Sequence, residues 1–300
     1  MNFSTIAAVW ADLAPGAKIL ILTEAPRLPL AEQIKADNLP LVSSAKVIDI
    51  GAAAYDAALR ALSPDDLLLV LLTMDGFMTK GYRDAFSPFS KPEGCEAKYI
   101  FVRLDIPAES LLSGLNTDIT KVEGILRDCR TFSAGETVHV TTAAGTDITM
   151  QIDCQELLPY DARARGGHAF LPPAEISEAL VPGSANGVIV ADITAGEIRF
   201  RAELIDPLGI VDEPVRITVL NGLVTNIEGG DIARRLREGL DRLDKGLQTL
   251  VELGHGLSDL IPTGIIGVDE SMNGTCHFGI GSRDPYHVDV VVRNPSITVV

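Results

Sequence analysis

The chain has 300 residues, of which 46% are hydrophobic and 22% are charged. This balance is typical of a folded globular protein and excludes global disorder. The formal net charge at pH 7 is −16, so the surface should repel phosphate backbones and anionic lipids. We therefore expect neither a nucleic-acid partner nor a membrane-surface partner.

No segment of the sequence is typical of a membrane anchor or a secretory leader. The most apolar run, residues 67–72, is far shorter than the roughly 20 residues of a spanning helix. The first residues lack a basic stretch followed by an apolar run. The sequence therefore predicts a cytoplasmic protein.

The first 130 residues alternate short apolar strands with helical segments such as 53–62. The predicted strands are 18–23, 45–50, 66–72 and 97–103. Strands separated by helices of this length predict an N-terminal α/β domain, residues 1–130, with a mainly parallel sheet. Neither GxGxxG nor GxxxxGK[ST] follows any of these strands, which disfavours a nucleotide site in this domain.

From residue 131 the pattern changes to alternating strands and tight turns. Residues 137–142 and 147–153 predict one hairpin, and Asn221-Gly222 predicts the two-residue turn of another. Leucines at helical spacing over 231–253 predict one long helix. We therefore expect an α/β protein whose C-terminal domain, residues 131–300, is a β-rich α+β domain that carries a metal-type site.

A histidine and an aspartate near the C-terminus have the spacing of two metal ligands. His287 and Asp289 are two residues apart in a predicted strand, so both side chains point to one face. His277 is a hairpin's length upstream and would complete a two-histidine, one-carboxylate set. Glu270 lies just before it. The alternative interpretation is that both histidines are structural residues linked by hydrogen bonds.

Glu175 is a second candidate functional residue. It follows Pro172 and Pro173 closely, so it stands on stiff backbone, as a metal ligand or a general base should. The alternative interpretation is a solvated loop carboxylate.

Several ordered segments of residues 130–300 resemble the thermophilic-type leucyl aminopeptidases, the aminopeptidase T or M29 family. The same resemblance extends to the related 2,5-dihydroxypyridine dioxygenases. The segments that carry it are LPPAE, NGVIVAD, GLVTNIEGG, DESMNGTCHFGIG and HVDVVV.

The resemblance implies roles for individual residues. It makes Glu175, His277, His287 and Asp289 metal ligands, and it makes Glu270 or Glu175 the catalytic residue that orients water or acts as a base. The family's second acidic ligand is missing from its usual stretch, where Asp259 is the only carboxylate available.

The resemblance implies a metal-dependent aminopeptidase-like hydrolase. Metal-activated water would cleave a peptide or amide that has a free amine, with zinc, cobalt or manganese as the divalent metal. One alternative is a mononuclear Fe(II) dioxygenase that opens an aromatic ring. Another is a non-catalytic relative that binds a peptide in the inherited cleft. The substrate would be a peptide or a small molecule, and the resemblance also implies a possible homodimer.

Overall fold

The computed structural model describes residues 2–52, 54–87, 90–128, 132–156, 164, 168–173, 175–200, 203–282 and 286–300. The helices are α1 (Leu28–Asn38), α2 (Tyr55–Arg60), α3 (Met74–Thr79), α4 (Tyr82–Ala85), α5 (Ala108–Leu115), α6 (Ile119–Asp128), α7 (Asp231–Leu240) and α8 (Ile266–Asp269). The strands are β1 (Lys18–Thr23), β2 (Ser44–Asp49), β3 (Leu67–Leu71), β4 (Lys98–Val102), β5 (Thr137–Thr141), β6 (Asp147–Glu156), β7 (His168–Leu171), β8 (Glu175–Leu180), β9 (Asn186–Ala191), β10 (Thr194–Phe200), β11 (Glu203–Ile210), β12 (Val215–Leu220), β13 (Leu223–Glu228), β14 (Leu250–Gly256), β15 (Thr275–Ser282), β16 (Tyr286–Arg293) and β17 (Ser296–Val299). Of the helices in these ranges, none has both the length and the apolar character needed to cross a membrane.

The first compact unit takes in the described residues of 1–127 and 159–173. Its sheet has five parallel strands in the order β2-β1-β3-β4-β7, as the alternation of strands and helices predicts. Every residue of β3 is buried, which is typical of a parallel strand with helices on both faces of the sheet. Strand β7 joins this sheet from a distant point in the chain, and the sequence did not indicate that return.

The second compact unit takes in the described residues of 128–158 and 174–300. Its 12-stranded sheet is built from antiparallel pairs, and the main path runs β11-β10-β16-β15-β14-β8-β6-β9-β12-β13. One large apolar core lies against this sheet, and helix α7 contributes Ile232, Leu236 and Leu240 to it. The predicted division into a parallel α/β part and a β-rich part is confirmed as a fold class.

The predicted hairpin at Asn221-Gly222 is confirmed. Strands β12 and β13 pair antiparallel, with Leu220 opposite Leu223. Both turn residues have positive φ, 50° for Asn221 and 75° for Gly222, which is the geometry that an Asn-Gly dipeptide favours in a two-residue turn.

The predicted helix over 231–253 is wrong in its second half. Helix α7 ends at Leu240, and a 3₁₀ turn at Lys245–Leu247 precedes strand β14. The side-chain amide of Gln248 donates to the carbonyl oxygens of Leu240 (2.9 Å) and Leu243 (3.3 Å), so it satisfies acceptors that the helix leaves open. Strand β14 then obtains its backbone hydrogen bonds from β8 and β15, which favours the extended form over continued helix.

Candidate metal centre

Four adjacent strands of the second unit, β16, β15, β14 and β8, present acidic and imidazole side chains on one face. In the register, Glu252 lies opposite Gly279, and Gly279 lies opposite Asp289. The neighbouring positions place His277 opposite Gly254, and Glu175 opposite Gly256. Opposed residues in an antiparallel sheet share a face, and so do residues two apart along a strand. The register therefore gathers onto one face residues that lie more than 100 positions apart in the chain.

Glu252, His277, His287 and Asp289 form what we call the histidine–carboxylate cluster. The Nε2 atom of His287 lies 3.0 Å from Oδ1 of Asp289 and 3.7 Å from Oε2 of Glu252. The other oxygen of Glu252 lies 3.7 Å from Nε2 of His277. Glu252 thus stands between the two imidazoles. The His277 side chain is only 2% exposed, so these charges interact with little screening by water.

The cluster strongly favours positive charge on its imidazoles. Burial opposes the charged form of His277, but contact with Glu252 and the charges of Glu175, Asp289 and Glu270 outweigh it and raise its pKa to about 10. Burial also opposes the charged form of His287, but Asp289, Glu252 and Glu270 raise its pKa to about 9. For Asp289, burial raises the pKa and the two histidines lower it, and the net result is a lowered pKa.

Glu270 approaches the cluster from helix α8, and the neighbouring Asp269 holds that turn in place. Asp269 is fully buried, and its carboxylate accepts hydrogen bonds from the hydroxyl of Thr194 (2.5 Å) and the hydroxyl of Thr263 (2.7 Å). It also accepts from the backbone N–H groups of Thr263 and Gly264, both at 2.8 Å. These contacts fix the end of the helix from which Glu270 projects.

Glu252 is not among the predicted site residues, because it lies within 231–253, the segment that the leucine spacing predicts as a helix. The available indication is the alternation of Glu252, Gly254 and Gly256, which fits one face of a strand better than a helix. Asp259, the carboxylate that the resemblance left available, is exposed, and its Oδ1 accepts a hydrogen bond from the Asn273 amide at 3.0 Å.

The opposite face of the same strands carries a second set of polar residues. Nε2 of His255 lies 3.3 Å from Oε2 of Glu178, whose side chain is fully buried. Cys276 lies opposite His255 in the register, and burial raises the pKa of its thiol well above the ordinary value. A thiol kept protonated in this way is a poor nucleophile.

The donor chemistry of the cluster fits a divalent metal, although its side chains are not gathered around a common point. Among the described residues, no three histidine, cysteine, aspartate or glutamate side chains are close enough together to form a ready metal site. In the same described ranges, the buried Nδ1 atoms of His277 and His287 have no hydrogen-bond partner. Two imidazoles among carboxylates suit zinc, manganese and iron, and a dication would satisfy the same demand for positive charge. The residues therefore fit a divalent metal in ligand type and in charge.

In the first unit, the usual ligand position of such a fold carries a buried carboxylate with its own protein partners. Doubly wound sheets of this order bind ligands beyond the carboxyl ends of the strands corresponding to β1 and β3. There the buried carboxylate of Glu24 accepts hydrogen bonds from the backbone N–H (2.7 Å) and the hydroxyl (2.6 Å) of Thr73. Nζ of Lys80 donates to its other oxygen at 2.9 Å.

Residues 98–260 match the sequence model of a known family, described as NicX, 2,5-dihydroxypyridine 5,6-dioxygenase. The chain belongs to this family. The match covers Glu175 and Glu252 and ends before His277, His287 and Asp289. No curated protein matches the chain in sequence.

Two solved structures are similar to this member of the family. The 2,5-dihydroxypyridine dioxygenase from Pseudomonas putida KT2440 has 16% sequence identity and a TM-score of 0.59, over 99% of this chain and 92% of that one. Wild-type AmpT from Thermus thermophilus has 13% identity and a TM-score of 0.59, over 99% of this chain and 94% of that one. The family match confirms the expected relationship to the dioxygenase branch, and the likeness to AmpT, at 13% identity, confirms the expected fold.

Proposed function

We propose that the chain is a metal-dependent ring-opening dioxygenase that acts on a small aromatic substrate, with His277, His287 and Asp289 as ligands of iron(II). The observation that carries this proposal is that two imidazoles and an aspartate lie on one face of the sheet, in a member of the NicX family. A bound iron(II) would supply oxygen activation, because two histidines and one carboxylate leave coordination positions open.

The remaining carboxylates have defined parts in this proposal. Glu252 contacts both imidazoles and would hold them in the orientation that binding requires. Glu175 and Glu270 act electrostatically on His277, so both lie near the reacting centre. Either can accept a proton from a substrate hydroxyl as a general base.

A metal-dependent hydrolase is the second candidate function, and the acidic character of the site favours it. Glu252 supplies the second carboxylate that the sequence analysis found missing, and Glu175 adds another nearby. Such a donor set suits two divalent metals, which activate water and polarise a carbonyl. The same negative charge suits a substrate with a free amine.

Metal content and substrate turnover distinguish the two candidates. Protein purified under nitrogen is analysed for metals and then loaded with iron(II), or separately with zinc, cobalt or manganese. One iron per chain, with oxygen uptake on 2,5-dihydroxypyridine, supports the dioxygenase. Two equivalents of zinc, cobalt or manganese, with cleavage of leucine p-nitroanilide, support the hydrolase instead. Failure to retain or take up any metal contradicts both and favours the non-catalytic relative.

A double variant tests whether the proposed ligands bind the metal. We expect the double variant His287→Ala/Asp289→Ala to lose metal retention and turnover while its circular dichroism spectrum stays native. The matched control is His139→Ala/Asp147→Ala, which removes a histidine–aspartate pair of similar length (2.7 Å) from the outer face of the β5–β6 hairpin of the same unit, where Asp147 is 76% exposed. Equal metal content in the two double variants would contradict the ligand assignment.

A further inference from the structure

His277 lies against a glycine of the neighbouring strand. Gly254 is directly opposite His277 in the pairing of β14 with β15. A Cβ atom built on Gly254 would lie 2.0 Å from both Cε1 and Nε2 of His277. The imidazole therefore lies across β14, in the space that any other residue at position 254 would fill.

His287 has the same relationship to a second glycine. Gly279 is opposite Glu252 on one side and opposite Asp289 on the other. A Cβ atom at this glycine would lie 2.7 Å from Cε1 of His287, 3.0 Å from its Nε2 and 2.8 Å from Cβ of Glu252. Gly279 leaves a gap between the carboxylates of Glu252 and Asp289, and the ring of His287 occupies that gap.

The backbone does not account for either glycine. Neither Gly254 nor Gly279 has positive φ, so both positions adopt conformations that any residue accepts. Glycine in the interior of a strand weakens the strand, because it brings no side chain to pack. The close contact of each position with an imidazole explains why glycine occupies both.

The geometry points to Gly254 and Gly279 as positioning residues that set the direction of the two imidazoles in the candidate metal centre. This inference rests on the proposed metal-dependent function. Nitrogen ligands bind zinc-like metals at about 2.0–2.1 Å, so a ring displaced by an added methyl group loses much of its bond. The absence of side chains at these two positions on β14 and β15 therefore lets both ligand rings take the directions that the centre requires.

The test compares metal affinity with stability in Gly254→Ala and Gly279→Ala. Manganese(II) is the probe, and its dissociation constant is measured by calorimetry on the full chain. We expect each variant to bind it about 10–100-fold more weakly, as when a residue that orients a ligand is lost. The thermal midpoint of each variant should also fall, because a buried ring must move to admit the added methyl group, so both affinities are measured below the lower midpoint. Gly246→Ala is the control, since no atom lies within 4 Å of its added Cβ.

Combined variants separate an effect on the ring from an effect on the strand. In a His277→Ala background, Gly254→Ala should cause no further loss of manganese affinity, because the three atoms nearest the added Cβ all belong to the His277 ring. If Gly254→Ala prevents folding, His277→Ala in the same chain should restore it, because the clash is with that ring. Additive losses of affinity, or a misfolded double variant, would overturn the inference.

The inference and the proposed function can fail separately. Wild-type affinity in both glycine variants overturns the positioning role and leaves the metal site standing. If the unsubstituted chain binds no manganese, zinc or iron, the proposed function fails. Crystal structures of the metal-free glycine variants then decide the inference: displaced imidazoles support it, and unchanged ring orientations overturn it.

Discussion

Glu252 links the two imidazoles of the candidate centre, because one of its oxygens faces His277 and the other faces His287. We expect Glu252→Gln to weaken metal binding about 10–100-fold, since the amide keeps the shape of the side chain and removes its charge. In the metal-free protein, the same change should lower the pKa of His277 from its value of about 10, measurable by nuclear magnetic resonance titration.

Asp259→Asn is the matched comparison for that prediction. Asp259 is an exposed carboxylate that follows the same strand, and its side chain accepts from Asn273. If metal affinity falls equally in the Asp259 variant, the role assigned to Glu252 is wrong.

At the scale of elements, the local part of the site could be predicted and the cross-strand part could not. The two-residue spacing of His287 and Asp289 places both on one face of any strand, and the structure shows them 3.0 Å apart. The approach of Glu252 depends instead on the register of β14 against β15. Sequence separation carries no information about such a register.

The error over 231–253 has a definite physical cause. Leu236, Leu240, Leu243 and Leu250 are all buried, so their spacing mimics one continuous helical stripe. Gly246 lies between them and favours a break, and Gln248 closes the helix end through its side chain. The spacing of apolar residues therefore did not distinguish a helix followed by a strand from one long helix.

Glu24 joins two elements of the first unit, and its ionisation should affect stability. Burial raises the pKa of Glu24, but the hydrogen bonds from Thr73 and the contact with Lys80 outweigh it and lower the pKa below the ordinary value. A lowered pKa contributes stability above the unfolded-state value of 4.5, and that contribution is lost as the pH falls through the folded-state pKa. We expect Glu24→Gln to be about 1–3 kcal/mol less stable at pH 7 and to lose less stability on acidification.

Urea denaturation at pH 7, 5, 4 and 3 measures this difference. Glu96→Gln, which neutralises an exposed glutamate of the same unit, is the control. Parallel pH profiles for the original chain and for Glu24→Gln would show that the contacts of Glu24 contribute no pH-dependent stability.

At the scale of the whole molecule, the net charge of −16 means that a rise in stability on adding a metal salt does not by itself show binding at one site. A strongly acidic protein is stabilised weakly by any divalent cation, because counterions reduce its self-repulsion. That effect depends on ionic strength and hardly on which divalent cation supplies it. Binding at a specific site depends on the metal ion, and at 100 times the dissociation constant it adds about 2.7 kcal/mol to the free energy of unfolding.

We therefore expect manganese(II) to raise the thermal midpoint once its concentration exceeds the dissociation constant, and the rise should continue with the logarithm of the concentration. Magnesium chloride and sodium chloride at equal ionic strength should raise the midpoint only slightly. The selectivity follows from the imidazoles of His277 and His287, since nitrogen ligands suit manganese, iron and zinc better than magnesium. The His287→Ala/Asp289→Ala variant should respond to manganese(II) no more than to magnesium chloride at equal ionic strength. Differential scanning calorimetry across a metal titration measures both responses. A manganese-specific rise that persists in that variant would place the metal outside the histidine–carboxylate cluster.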